Sequence, residues 1–328
     1  MSRLNSLEYE TPKAALPSPP PPRSVTILSV SVNHPALSAL LSTPIDYAGL
    51  FPPAALPLPR AVKAYREIME SDLADLCDKF ICPADQLAAL ASCIQAENME
   101  EVPIAVVGAP LKPGPDMAAQ LRAELTAMTA HPVLMVEGYE VKVPVGDSLT
   151  GALRALKGAG LNDADLDVFL EFPWSPDSED AMAEAISQME NIGFKARCGG
   201  MPDPHPVPSP AELAAFIHTC VSLEAPLKFT AGLHQAIGHT ENGVFHHGFV
   251  NVLAAAALAL TQDLNRAELE EILTLPAGRI APEGDDLVLG SWRLTPDEAD
   301  ELWTYCGGFG SCSVHEPKDS LRALGWWN

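Results

Sequence analysis

The sequence predicts an α/β protein built as a closed (β/α)8 TIM barrel, and three observations predict it. Short apolar strand-like runs alternate with longer helical ones along nearly the whole chain, the pattern of a parallel sheet with helical crossovers. Seven such units are visible and a candidate eighth lies near the C-terminus. No GxGxxG follows the first strand, as an open dinucleotide-binding sheet would need. A chain of 328 residues suits one such barrel with appendages.

Taken in order, residues 1–33 read as a flexible Pro-rich extension, within which SVTILSVSV (24–32) could form an edge strand. The barrel occupies residues 34–328. Its first strand, 45–50, is closed by Pro52-Pro53, and Pro59 suits the first turn of a helix reaching about residue 70. Strands follow at 78–83, 102–108, 138–144, 166–173, 194–198 and 227–232, each leading into a helical run. The last of these runs is expected to be helical from 243 to 260. A helix at 266–273 and an inserted hairpin near 280–295, containing LVLGSWRL, form a small C-terminal α/β decoration. The eighth strand is GGFGSCSV (307–314), followed by a helix over 316–324.

Composition narrows the function. With 20 basic and 43 acidic residues the net charge is −23, which repels a phosphate backbone and argues against nucleic acid. No apolar run is long enough to span a bilayer, and the N-terminus lacks a signal-type apolar core. The expectation is a cytoplasmic protein with a small-molecule substrate and no membrane partner; homo-oligomerisation stays open. Seven cysteines without CxxC pairing argue against a disulfide framework and a structural zinc site.

Alternate residues of a barrel strand face the helices and the lumen. On strand four, Val141 and Val143 take the helix side and leave Glu140 and Lys142 inside. On strand five, Leu166, Val168 and Leu170 leave Asp167, Phe169 and Glu171. On strand six, Phe194 and Ala196 leave Lys195 and Arg197, and on strand seven Leu227 and Phe229 leave Lys228 and Thr230. Four neighbouring strands thus aim charge into a space normally filled by branched apolar side chains. Buried charges need partners, and ionic clusters near strand C-termini point to chemistry; the bland alternative is a structural ion-pair network. Asp46, near the end of strand one, is placed to join the same pocket.

Two further groups are candidates. Gly199, Gly200 and Gly232 end strands six and seven, where small residues let backbone N–H groups approach an anion, with Ser311 of strand eight completing the cradle. His234, His239, His246 and His247 fall at the end of strand seven and beyond it. His234, His239 and His247, with Glu171, would make an open zinc or iron site able to activate water. Cys312, Trp326 and Trp327 read as packing residues.

LDVFLEF (166–172), GFKARCGG (193–200) and LKFTAGL (227–233) resemble the strand-five to strand-seven region of the class I, deoxyribose-phosphate-type aldolases, which are TIM barrels. The resemblance implies a lyase in which Lys195 forms an imine and Lys228 depresses its pKa. Glu140 stands where that family has an aspartate, Asp167 where it has a lysine, and Cys198-Gly199-Gly200 where it has Ser-Thr-Gly. More of the chain, through DYAGLFPP (46–53), KARCGG (195–200), KFTAGLH (228–234), HHGFVN (246–251) and FGSCSVHEP (309–317), is similar to a family of uncharacterised bacterial barrel proteins, which implies the fold but no reaction. The expected function is therefore an aldolase-type lyase acting on an anionic or carbonyl metabolite without a cofactor. Lys195, Lys228, Glu171, Glu140 and His234 are its catalytic candidates, and Arg197, Gly199, Gly200, Thr230, Gly232, Ser311 and Asp46 its binding candidates. The alternatives are a zinc- or iron-dependent hydrolase or lyase on the histidines and a non-catalytic barrel subunit.

Overall fold

The computed structural model describes residue 32 and residues 34–114, 116–161, 166–202 and 206–328. The extension and its strand at 24–32 lie outside the described residues, apart from Val32. Eight parallel strands close into a barrel, following one another around the ring in chain order. They are β1 (Ile45–Tyr47), β2 (Cys77–Pro83), β3 (Val102–Val107), β4 (Leu134–Lys142), β5 (Asp167–Glu171), β6 (Ile192–Arg197), β7 (Leu227–Thr230) and β8 (Cys306–Ser311). Ile45 pairs with Cys77 on one side and Phe309 on the other, which closes the ring. The expected TIM barrel is the observed fold.

Each strand is followed by a helix, as the alternation requires: Leu58–Met69, Leu87–Ala96, Met117–Thr129, Leu149–Gly158, Ser178–Gln188, Pro210–Ser222, Phe249–Thr261 and His315–Ala323. Local chemistry sets several starts. Pro59 lies in the first turn of its helix, where its missing N–H costs nothing. Ser209 opens the helix after β6 with a reciprocal capping box to Glu212, satisfying two otherwise orphaned N–H groups.

Three expectations need correction. β4 begins earlier and ends before Val143, and Glu137 is the extra residue of a bulge, because Val136 opposes Ile104 while Gly138 opposes Ala105. The inserted hairpin is a three-stranded antiparallel sheet, Ile280–Glu283, Asp286–Leu289 and Trp292–Leu294. The run from 243 is not helical until Phe249. Instead, His239–Glu241 and Val244–His246 form an antiparallel ribbon around Asn242 (φ 50°) and Gly243 (φ 80°). Asn-Gly takes the two left-handed positions of a tight hairpin turn readily, and this local signal outranks the helical periodicity that follows it.

The helix Phe249–Thr261 is apolar all round and buried from Phe249 to Ala259, which a helix can be only when it is enclosed. The helices Pro210–Ser222, Arg266–Thr274 and Pro296–Glu301 pack against it, so the C-terminal insertion is its cover. Its one polar side chain in that stretch, Asn251, is fully buried. Asn251 Oδ1 accepts from the Gly238 N–H at 3.0 Å, and its Nδ2 donates to the carbonyls of Ile272 at 2.9 Å and Leu275 at 3.0 Å. One amide thus ties the loop after β7 to the insertion. Asn251→Leu would strand three backbone groups away from water, and urea denaturation should show a loss of about 2–4 kcal/mol; a loss below about 0.5 kcal/mol would remove the amide from this role.

Candidate functional site

The outward faces of the strands are settled by aromatic packing. Phe194 packs against Phe172 with ring centroids 5.8 Å apart, and Phe229 against Phe216 at 6.2 Å. The intervening residues must then point into the lumen. In register, Lys142, Glu171, Lys195 and Lys228 stand at one level across β4 to β7, while Glu140 stands opposite Phe169, one step below.

These side chains join into a chain of alternating charge. Lys142 Nζ lies 3.3 Å from Glu171 Oε1, and Glu171 Oε2 lies 2.8 Å from Lys195 Nζ. Lys195 Nζ donates to Glu140 Oε2 at 2.8 Å. Glu140 Oε1 is 2.9 Å from Lys228 Nζ, an ion pair whose angle falls short of a hydrogen bond. Lys228 Nζ donates in turn to Asp46 Oδ2. Asp46 Oδ1 accepts from the backbone N–H of Lys79 at 3.1 Å. Lys195, Lys228, Glu140, Glu171 and Asp46 are all buried, whereas the Lys142 side chain is 52% exposed at the open end of the row.

Glu140 sits between two ammonium groups, and this decides the electrostatics. Burial alone would raise its pKa, but Lys195 and Lys228 outweigh burial and bring it down to about 2. Burial would lower the pKa of Lys195, yet Glu140 and Glu171 overcome it and hold the ammonium above its usual range. Lys228 is raised in the same way, its burial opposed by Asp46 and Glu140. The expected depression of Lys195 by Lys228 is therefore corrected. The second lysine acts through an intervening carboxylate, and the carboxylate's sign prevails.

Phe169 fills the floor beneath. Its ring centroid is 5.6 Å from Lys228 Nζ, and Gly193 on β6 and Gly307 on β8 make room for it, since a Cβ on either would fall 2.7 Å from the ring. Toward β1 to β3 the lumen is lined instead by Ile81 and Ala105, grouped with Ala48. Sequence reading missed Lys79, which is buried with Nζ 2.6 Å from Asp78 and 3.7 Å from Glu137. The same alternation would have found it, because Phe80 and Cys82 take the helix side of β2 and leave Lys79 and Ile81 inside.

The remaining candidates fall elsewhere. Asp167 is exposed at the start of β5. Gly199 and Gly232 press against one another: a Cβ on Gly199 would stand 2.9 Å from Gly232 Cα, and one on Gly232, at φ +76°, 2.7 Å from the Cys198 carbonyl oxygen. Close backbone approach thus accounts for both. Ser311 is buried, donating to the Ser313 carbonyl at 2.7 Å, and Thr230 borders Gly310. Arg197 is half-buried beside Gly200, with no ion pair among the described residues.

The histidine reading is corrected. His234 Nδ1 pairs with Glu316 Oε2 at 2.7 Å, exposed His239 stacks on His246 with centroids 5.4 Å apart, and buried His247 donates from Nε2 to the Pro208 carbonyl at 2.9 Å. Burial, opposed only in part by that carbonyl, lowers the His247 pKa. Each ring has its own partner, and no group of three His, Cys, Asp or Glu side chains converges as a metal site among the described residues. Sequence proximity did not become convergence, because the Asn-Gly ribbon pairs His239 with His246 while His234 and His247 bond to Glu316 and Pro208.

Fold and lumen together define an eight-stranded α/β barrel whose interior carries a matched row of buried ions near the C-terminal strand ends. Compared with known proteins, the chain matches no family model and no curated relative.

A carboxyl held below its ordinary pKa contributes stability that is present above the unfolded value of about 4.3 and is lost as pH falls toward about 2. Unfolding free energy should thus decline across that acid window, and Glu140→Gln should flatten the decline. The same substitution leaves two buried ammonium groups facing each other and should cost about 3–5 kcal/mol at neutral pH. Chemical denaturation of both proteins across pH checks the pair of statements; an unchanged acid slope in the variant contradicts them.

Proposed function

We propose that this barrel is an aldolase-type lyase in which Lys195 forms an imine with a small carbonyl substrate. A (β/α)8 barrel is compatible with a small-molecule enzyme, and its chemistry is built at the C-terminal ends of the strands. The observation that carries the proposal is Lys195 Nζ buried between two carboxylates, 2.8 Å from each. The likeness of strands five to seven to class I aldolases supports the same assignment.

The raised pKa of Lys195 fits this chemistry once charge is followed. An ammonium and a ketone or aldehyde give a protonated imine and water: a C–N bond forms, the C–O bond breaks, and the positive charge stays on the same nitrogen. The carboxylates that hold the ammonium therefore also hold the iminium, with no new charge left unmatched in the lumen. In between, the attacking nitrogen must be a free amine, so Glu140 or Glu171 takes one proton before the attack and the adduct nitrogen gives up a second, and both pass to the oxygen that departs as water. Lys228, held as an ammonium by Asp46, helps to keep Glu140 anionic for that exchange. A base then removes the proton of a β-hydroxyl, and the electron pair of the neighbouring carbon–carbon bond passes into the iminium to give an enamine and a released aldehyde.

Borohydride reduction in the presence of small aldehydes and ketones, read by peptide mass spectrometry, tests the proposal. A reduced adduct is expected on Lys195 and none in Lys195→Arg, which keeps the charge but cannot form the imine. Because the lysine is held above its ordinary pKa of about 10.4, trapping should accelerate steadily with pH through about 9. No adduct on Lys195 at any pH would sink the proposal; a plateau near neutrality would contradict the raised pKa of Lys195 instead.

A further inference from the structure

In the upper lumen Lys142, Lys195 and Lys228 are matched by Glu171, Glu140 and Asp46. Arg197 breaks this balance. It stands two residues beyond Lys195 on the same face of β6, about 6.6 Å further along the strand, and it has no carboxylate partner among the described residues. Its surroundings are shaped to hold it. Trp174 Nε1 donates to the Arg197 carbonyl at 3.0 Å, and Gly200, at φ +64°, leaves space that a Cβ would narrow to 3.4 Å from Arg197 Nη2.

We infer that Arg197 receives the anionic group of the substrate and that this group is a single carboxylate, so that the substrate class is a small oxo-carboxylate. The inference rests on the imine reading for the carbonyl half only. A guanidinium unmatched among the described residues supplies one positive charge, which balances a carboxylate and leaves a phosphate monoester, at about −1.5 to −2, undercompensated. Its planar fork fits a carboxylate through two parallel hydrogen bonds. The short spacing to Lys195 keeps carbonyl and anion within one small molecule.

The test uses the full chain with three probes: pyruvate, acetone as a neutral carbonyl, and dihydroxyacetone phosphate. Binding is measured by calorimetry and ligand-observed NMR, and adducts by borohydride trapping. Pyruvate should bind in preference to dihydroxyacetone phosphate. Arg197→Met should weaken pyruvate by about tenfold or more and lower the ratio of pyruvate to acetone trapped on Lys195 by a similar factor. Arg197→Lys should recover part of the affinity, since it keeps charge without the fork, and it serves as the working variant if Arg197→Met misfolds. Pyruvate binding equal in wild type and variants overturns the inference, as does its absence or a preference for the phosphate. Binding that depends on Arg197 without any adduct on Lys195 sustains the inference and removes the imine reading instead.

Discussion

The interior of this barrel depends on Glu140, a buried carboxylate with an ammonium on either side, 2.8 Å from Lys195 and 2.9 Å from Lys228. In a low-dielectric lumen an isolated charge is costly, and the penalty falls only when each ion has close partners of opposite sign. Glu140 provides two such contacts and receives two. Removing it would leave Lys195 to Glu171 and Lys228 to Asp46 and take away the anion that stands between the two ammonium groups. The same requirement explains why the row continues outward to Glu171 and Lys142 and inward to Asp46 instead of stopping at a pair.

The architecture around this row is arranged to leave it undisturbed. Phe169 closes the floor beneath Lys228 in space vacated by Gly193 and Gly307. The insertion Arg266–Glu301 lies on the outside, enclosing an apolar helix through Asn251. Packing and ion pairing are thus separated in space, with stability drawn from the layer between strands and helices and the charges confined to the lumen.

Much of this was legible in the sequence, for a physical reason. A two-residue period is a local property, so Phe194 and Ala196 beside Lys195 and Arg197 betray the inward face without knowledge of the neighbours. The barrel itself follows from repeated strand–helix alternation. What was not legible depends on three dimensions. That Glu140 lies between Lys195 and Lys228, and therefore raises their pKa values instead of leaving one lysine to depress the other, comes from β4 and β7 meeting across the lumen. The spacing of His234, His239 and His247 suggests convergence, but the ribbon around Asn242-Gly243 turns His239 onto His246 and leaves His234 and His247 with partners of their own. Lys79 escaped although its signal, the alternation with Phe80 and Cys82, was as plain as that on β6.

The most direct measurement of the charge state in the lumen is side-chain NMR of protein labelled with nitrogen-15 lysine, with the Nζ resonances of Lys195 and Lys228 assigned by substitution. Both should remain ammonium resonances from about pH 6 to above about 10. An Nζ resonance of either lysine that titrates near neutral pH would contradict the matched row and the role given to Glu140 within it.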